Sequence, residues 1–276
     1  MGEFNLNGDL SLDDVVLACR SNILDILEAG AIGHSGGSLS ILETLVALYF
    51  KIAKINPKDP KWEDRDRIVL SKSHACEAMY AVLGEKGFFP KEKFKEFLHF
   101  NSMLQGHAEI CTPGVEYSGG SLGQGISFAC GLAYSARLKK KKHKVFCILG
   151  DGECHEGEVW EAAMFASHYK LDNLYVIVDY NHYCTLGDVD EIMNLKPLDD
   201  KWRSFGWETI YEKDGNNITK LINDFNELEK ISGKPKCIIA NTLKNNGVPI
   251  WEKEHIHHVS GKKLFDGLEE GRKLLK

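Results

Sequence analysis

The sequence predicts an α/β fold, a doubly wound and mostly parallel sheet flanked by helices. Two short apolar runs, residues 145–149 and 174–178, have the length and composition of strands buried on both faces. Residues 158–169 between them have helical spacing, which completes a strand–helix–strand unit. Each run then breaks into a polar group, Gly150-Asp151-Gly152 after the first and Asn181 after the second. Those groups fall at the carboxyl ends of parallel strands, where open α/β sheets bind ligands.

The other elements follow in order. Residues 12–28 place Val15, Val16, Cys19, Ile23, Ile26 and Leu27 on one helical face, with Gly30 as the stop signal. Residues 38–52 read as a second helix. Residues 67–70 form a short strand leading into Ser71-Lys-Ser-His74. Further helices are expected at 76–84 and 91–97. Residues 101–125 are rich in glycine and proline and lack periodicity; so long an irregular stretch inside a compact domain is usually functional. A helix of small residues covers 125–139. Strands at 207–211 and 237–241 enclose a helix at 218–231. There is no repeat and no linker, so residues 1–276 are read as a single domain.

Composition narrows the function. Hydrophobic residues make up 43% and charged residues 27%, ordinary values for a globular protein. A net charge of -6 argues against a general nucleic-acid binder. The basic run at 137–144 lies between a helix and a strand and reads as a solvated helix end. No stretch of eighteen apolar residues is present, and the amino terminus lacks the basic start and apolar core of a secretion signal. The eight cysteines contain no C-x-x-C pair, which points away from a zinc ribbon or a redox motif. A cytoplasmic protein that spans no membrane is expected.

The strongest chemical signal is Asp151 with Asn181, thirty positions later. A carboxylate and an amide oxygen at adjacent strand ends are hard donors suited to magnesium, which is normally shared between a few protein oxygens and a phosphorylated ligand. Gly152 lets the backbone approach a phosphate closely. Among the eleven histidines, His34, His74 and His107 stand apart because each sits in a Gly- or Ser-rich loop at an element boundary. His255, His257 and His258 cluster near the carboxyl end. Glu153, Glu156 and Glu158 are acids at a helix start, where they favour the helix dipole.

The stretch from Gly150 to Gly187 resembles the diphosphate-binding motif of thiamine diphosphate enzymes, and other segments narrow the resemblance to transketolase. These are Gly33-His-Ser-Gly-Gly-Ser38, Leu70-Ser-Lys-Ser-His-Ala75, Gly106-His-Ala-Glu109, Thr112-Pro-Gly-Val-Glu116, Gly120-Ser-Leu-Gly-Gln-Gly125, Val189-Asp-Glu-Ile-Met193 and Lys201-Trp-Arg-Ser-Phe-Gly-Trp207. They occur in family order over residues 10–260 and match only the amino-terminal part of a much longer enzyme. The chain therefore resembles a separately encoded amino-terminal subunit of a split transketolase.

The resemblance implies a thiamine diphosphate-binding fold and transfer of a two-carbon ketol unit from a ketose to an aldose, within carbohydrate metabolism of the pentose phosphate kind. It implies thiamine diphosphate with Mg2+, or Ca2+ or Mn2+ in its place. Asp151, Asn181 and the backbone carbonyl of Tyr183 would be the metal ligands. Gly152 and His74 would lie at the diphosphate, and Gly120, Ser121 and Leu122 at the aminopyrimidine. His34 and His107 would face the reacting end of the sugar, and the last site histidine would be His258, or else His257. Glu156 would bond across an interface to the glutamate that activates the cofactor, which belongs to a carboxyl-terminal partner subunit in a two-plus-two heterotetramer. Sugars or sugar phosphates would be the substrates. Three departures bear on sugar preference: Ala108 where proline is usual, Gly119 where threonine is usual, and the unusual run His182-Tyr-Cys-Thr185. A specialised ketol-transferase for a non-standard sugar is the nearest alternative. A 1-deoxyxylulose phosphate synthase fits Glu156 and residues 201–207 less well, and a regulatory cofactor-binding module is the non-enzyme alternative.

Overall fold

Parallel pairing organises the chain. The computed structural model describes residues 11–275; the amino-terminal stretch read as lacking a secretion signal lies outside the described residues. Helix α1 (Leu12–Gly30) starts on a capping box. The Ser11 hydroxyl accepts the Asp14 N–H at 3.2 Å, and the Asp14 carboxylate accepts the Ser11 N–H at 3.0 Å. A two-residue strand, β1 (Ile32–Gly33), follows.

The helix expected at 38–52 is present in three pieces: α2 (Ser35–Ser40), α3 (Leu42–Ala47) and a π-helical turn, Leu48–Ile52. The break falls after Ser40, whose hydroxyl bonds the Gly37 carbonyl and the Asp179 carboxylate instead of facing solvent. Strand β2 (Arg67–Leu70), helix α4 (Cys76–Lys86) and a 3-10 turn (Lys91–Glu96) come next. The irregular stretch ends at α5 (Gln124–Leu138). Then come β3 (Val145–Gly150), a 3-10 turn (Gly152–His155), α6 (Gly157–His168) and β4 (Leu174–Tyr180).

The carboxyl-terminal part holds a small hairpin, β5 (Tyr183–Cys184) with β6 (Gly187–Asp188), then α7 (Val189–Met193) and α8 (Leu198–Ser204). Strand β7 (Glu208–Glu212), α9 (Ile218–Glu229) and β8 (Lys236–Asn241) complete the sheet. Helix α10 (Pro249–Lys253), β9 (Val259–Ser260) and α11 (Gly261–Leu274) close the chain back onto α1, where Arg272 pairs with Asp25 at 2.9 Å and with Glu28 at 2.6 Å.

The five-stranded sheet has the order β2-β3-β4-β8-β7, and every pair in it is parallel. Alternate strand residues feed two cores. Phe146, Ile148, Ile177 and Ile238 pack with α1, α3, α4 and α9, whereas Cys147, Leu149, Val176 and Ile239 pack with α5, α6 and Trp202 of α8. In the basic run after α5, Lys141 pairs with Asp64 at 2.8 Å and Lys144 with Glu229, while Lys139, Lys140 and Lys142 are exposed. No helix among the described residues is long and apolar enough to cross a membrane.

Helix α5 is held against the end of β2 by a glycine. A Cβ on Gly125 would lie 2.6 Å from the Ser71 Cα, a backbone atom that cannot rotate away. Alanine gains about 0.5–1 kcal/mol of helix propensity over glycine, but overpacking of this kind costs about 1–3 kcal/mol. Gly125→Ala should therefore lower the thermal midpoint. A midpoint at or above that of the wild type would show that α5 can slide off Ser71 freely.

Candidate active site

A cavity of about 250 Å³ opens at the carboxyl ends of β2, β3 and β4, lined among others by Lys72, His74, Asp151, Asn181, Lys244 and His257. Because β3 and β4 pair in parallel with Gly150 opposite Asp179, the residues just beyond them emerge side by side. Asp151 is buried, and its two oxygens accept the N–H groups of Gly152 at 2.7 Å and His182 at 2.6 Å. Burial, and then the neighbouring Asp179 carboxylate, push its pKa up to about 6. A cation beside Asp151 would favour its ionised form.

The Asn181 side-chain oxygen accepts the Tyr183 N–H at 3.2 Å, while its NH2 donates to Asp179 at 2.7 Å. The Tyr183 carbonyl accepts from Lys244 Nζ at 3.0 Å. Gly152 is required by the β5–β6 hairpin, since a Cβ there would lie 2.7 Å from the Cys184 Cβ. The Tyr183 ring stacks on His255, centroids 3.8 Å apart and planes 13° apart, with a 3.0 Å bond from hydroxyl to Nε2.

Two lysines line the cavity. Lys72 is fully buried and ion-paired with Asp179. Lys244 has no carboxylate partner among the described residues, and burial together with Lys72 brings its pKa down to about 8. These cations fit a diphosphate, and the oxygens of Asp151, Asn181 and Tyr183 fit a hard divalent ion. No three His, Cys, Asp or Glu side chains among the described residues converge as a metal site. The oxygen set holds only one carboxylate, and the cluster His255, His257 and His258 does not form a metal site of that kind.

The histidines gather around His34. Strands β1 and β9 pair antiparallel with Gly33 opposite Val259, so His34 and His258 face each other at the next position. Their ring centroids are 4.3 Å apart; His74 and His107 lie 5.4 Å and 5.5 Å from His34, and His257 lies 6.0 Å away. His258 thus adjoins His34, while His257 lines the cavity 5.5 Å from His74 and bonds Thr185 at 3.2 Å. Glu77 beneath them accepts the His34 N–H at 2.7 Å and the Ser38 hydroxyl at 2.7 Å. Burial pushes His34 down to about 4 and His257 to about 3, with His74 also well below its usual value. His107 is fixed through its own loop: its carbonyl accepts from Tyr80 at 3.2 Å, and Ala108, where proline is usual, donates its N–H to Ser73 at 3.1 Å.

The acids separate in role. Glu153 is buried and accepts from Ser71, from the Gly123 N–H at 2.8 Å and from the Gly150 N–H at 3.0 Å, which ties the 120–125 loop to the strand end. Glu156 is exposed at the start of α6, and Gly120, Ser121 and Leu122 are exposed beside it. From the sequence alone Glu153 reads as a helix-start acid, and Lys72, Asp179 and Lys244 do not stand out. Lys72 lies inside the quoted 70–75 segment, and Lys244 three residues after a strand end, so position is the signal that could have found both.

The family described as "Transketolase, thiamine diphosphate binding domain" matches residues 12–272. A 6-deoxy-6-sulfo-D-fructose transketolase subunit of a Clostridium strain is 42% identical over 82% of each chain. One of the subunits of the apulose-4-phosphate transketolase of Actinobacillus succinogenes is 38% identical over 94% of each. The transketolase of Campylobacter jejuni superposes with a TM-score of 0.89 and 31% identity, covering 96% of this chain and 42% of that one. The chain thus spans about two fifths of such solved transketolases.

The buried imidazoles carry a pH signature. In the unfolded chain His34 protonates near 6.5, but in the folded chain only near 4. Between those values the unfolded state binds more protons, so the contribution of His34 is fully present above 6.5 and is lost as the pH falls toward 4. Urea unfolding at successive pH values should show wild type losing stability relative to His34→Asn across that window. A difference that stays constant with pH would contradict the burial of a neutral His34.

Proposed function

The chain belongs to the transketolase family through its thiamine diphosphate-binding domain, and from that premise we propose that it is the cofactor- and metal-binding subunit of a two-subunit transketolase. The observation that carries this reading is the emergence of Asp151 and Asn181 side by side from β3 and β4, beside the ammonium of Lys244. Asp151, Asn181 and the Tyr183 carbonyl would hold Mg2+, or Ca2+ or Mn2+ in its place, and Lys244 would turn from that carbonyl to the diphosphate. Gly152 would face the diphosphate, with His74 and His257 beside it.

When bound, thiamine diphosphate supplies the carbanion stabilisation needed to cleave the bond beside a ketose carbonyl. The chain's own share is positioning and proton handling. His34 is neutral at pH 7, so it presents one N–H and one lone pair, and with His107 and His258 it would hold or accept the proton of a sugar hydroxyl. Transfer of a glycolaldehyde unit from a ketose to an aldose is the proposed reaction. Relatives named for 6-deoxy-6-sulfo-D-fructose and apulose 4-phosphate favour, as a second reading, a sugar outside the common ketose phosphates.

The exposed Glu156 and the exposed rim 120–122 would meet the partner subunit, which brings the aminopyrimidine pocket, the activating glutamate and the recognition of the sugar's charged end. We place the assembly, two copies of each subunit, in the cytoplasm.

Asp151→Ala should abolish magnesium-dependent binding of thiamine diphosphate in calorimetric titration of the assembled enzyme, since it removes the only charged ligand; wild-type affinity would sink the metal assignment. The purified chain should transfer no glycolaldehyde until the partner is added. In the mixture, His107→Ala should lower kcat by ~10²–10⁴-fold with little change in cofactor affinity. Appreciable transfer by the chain alone would contradict a divided site, and full turnover in His107→Ala would make that histidine structural.

A further inference from the structure

One buried side chain behind the cavity has more hydrogen-bond donors than any charge balance requires. Asp179, near the end of β4, is 1% exposed. Its Oδ2 accepts from Ser40 at 2.6 Å, from Asn181 at 2.7 Å and from Lys72, and its Oδ1 accepts from Thr242. A carboxylate has about four acceptor positions, and here four donors reach it, three of them on Oδ2. The donors come from separate segments that each carry a cavity or histidine-cluster residue. Ser40 lies in the helix that follows His34, Lys72 shares its loop with His74, and Thr242 stands two residues before Lys244.

The Asn181 amide can face the cavity either way round, because its oxygen and nitrogen ends have nearly the same shape. One way presents an acceptor to a cation; the other presents an NH2 group that repels it. Asp179 selects the first at one end of the amide, and the Tyr183 N–H agrees with it at the other. An ionised carboxylate can only accept, so it draws the Asn181 NH2 to itself and leaves the oxygen to the Tyr183 N–H. We propose that Asp179 is the positioning residue of the metal site: it fixes the rotation of the Asn181 amide and thereby makes Asn181 a cation ligand. The inference rests on the reading of this cavity as a metal–diphosphate site. Neutralising Lys72 is the competing explanation for Asp179, and the two differ in what an exchange of amide and carboxylate does.

In Asp179→Asn, the new amide can donate toward residue 181, and the Asn181 oxygen is then free to turn away from the metal. In the exchange variant Asp179→Asn/Asn181→Asp, the carboxylate at 181 accepts that donor through one oxygen and offers the other to the metal in either rotation. The number of charges is unchanged. Binding of Mn2+ by the full chain in the presence of inorganic pyrophosphate, followed by electron paramagnetic resonance, separates the cases without an activity assay. Outer-shell partners of metal ligands are commonly worth ~10–100-fold in affinity, and Asp179→Asn should lose that much. The exchange variant should regain most of it.

Wild-type-like Mn2+ binding by Asp179→Asn overturns the inference, and so does a folded exchange variant that stays as weak as the single one. If Asp179→Asn does not fold, Thr242→Val takes its place. It releases one oxygen and keeps the charge, a few-fold loss is expected, and no loss overturns the inference. Absence of Mn2+ binding by the wild-type chain would instead overturn the metal–diphosphate reading itself.

Discussion

A buried carboxylate–ammonium pair, Asp179 with Lys72, fixes the ligand end of the sheet. Withdrawing two such charges from water costs several kcal/mol each, so the pair persists only where hydrogen bonds saturate it. Here Ser40, Asn181 and Thr242 complete the set. Removing one partner would leave an uncompensated charge in the interior, so the ends of β2, β4 and β8 and the junction of α2 with α3 are bound to one arrangement. The back of the cavity, where Lys72 and Asn181 line it, is set by that requirement.

Around this anchor the charges are graded. The imidazoles nearest the cavity are held neutral by burial, whereas Lys244 stays cationic at neutral pH while giving up part of its usual basicity. A group that is neutral at pH 7 but near a proton-transfer partner serves acid–base chemistry. A group that is charged but poorly hydrated serves anion binding.

Much of the fold is legible in the sequence because periodicity is a local property. Residues 145–149 and 174–178 are apolar at every position since both faces of β3 and β4 are covered, and the pair Asp151 and Asn181 follows from where those strands stop. The break at Ser40 is not legible, because its cause is a carboxylate 139 positions away. Lys72 and Thr242 meet the same carboxylate from 107 and 63 positions away. The strands β1 and β9 are two residues long, too short for a pattern, yet they bring His34 opposite His258. Glu153 escapes a sequence reading because an acid at a helix start has a sufficient local explanation, and only the structure shows three donors reaching it.

The pairing of β1 with β9 sets an order of assembly. The cradle made by Asp151 and Asn181 closes within one strand–helix–strand unit; the His182 N–H reaches Asp151 over 31 positions. The histidine cluster instead needs both ends of the described chain to meet, and the clasp that holds them, Arg272 on Glu28, spans 244 positions. Contacts between distant parts of a chain form slowly, and pairings near the ends of a chain are among the first to open in the native state. The chain can therefore bring Asp151 and Asn181 together before it gathers His34 and His258, and local fluctuation separates them in the reverse order. Two neighbouring parts of one cavity region are thus kinetically separable within a single polypeptide.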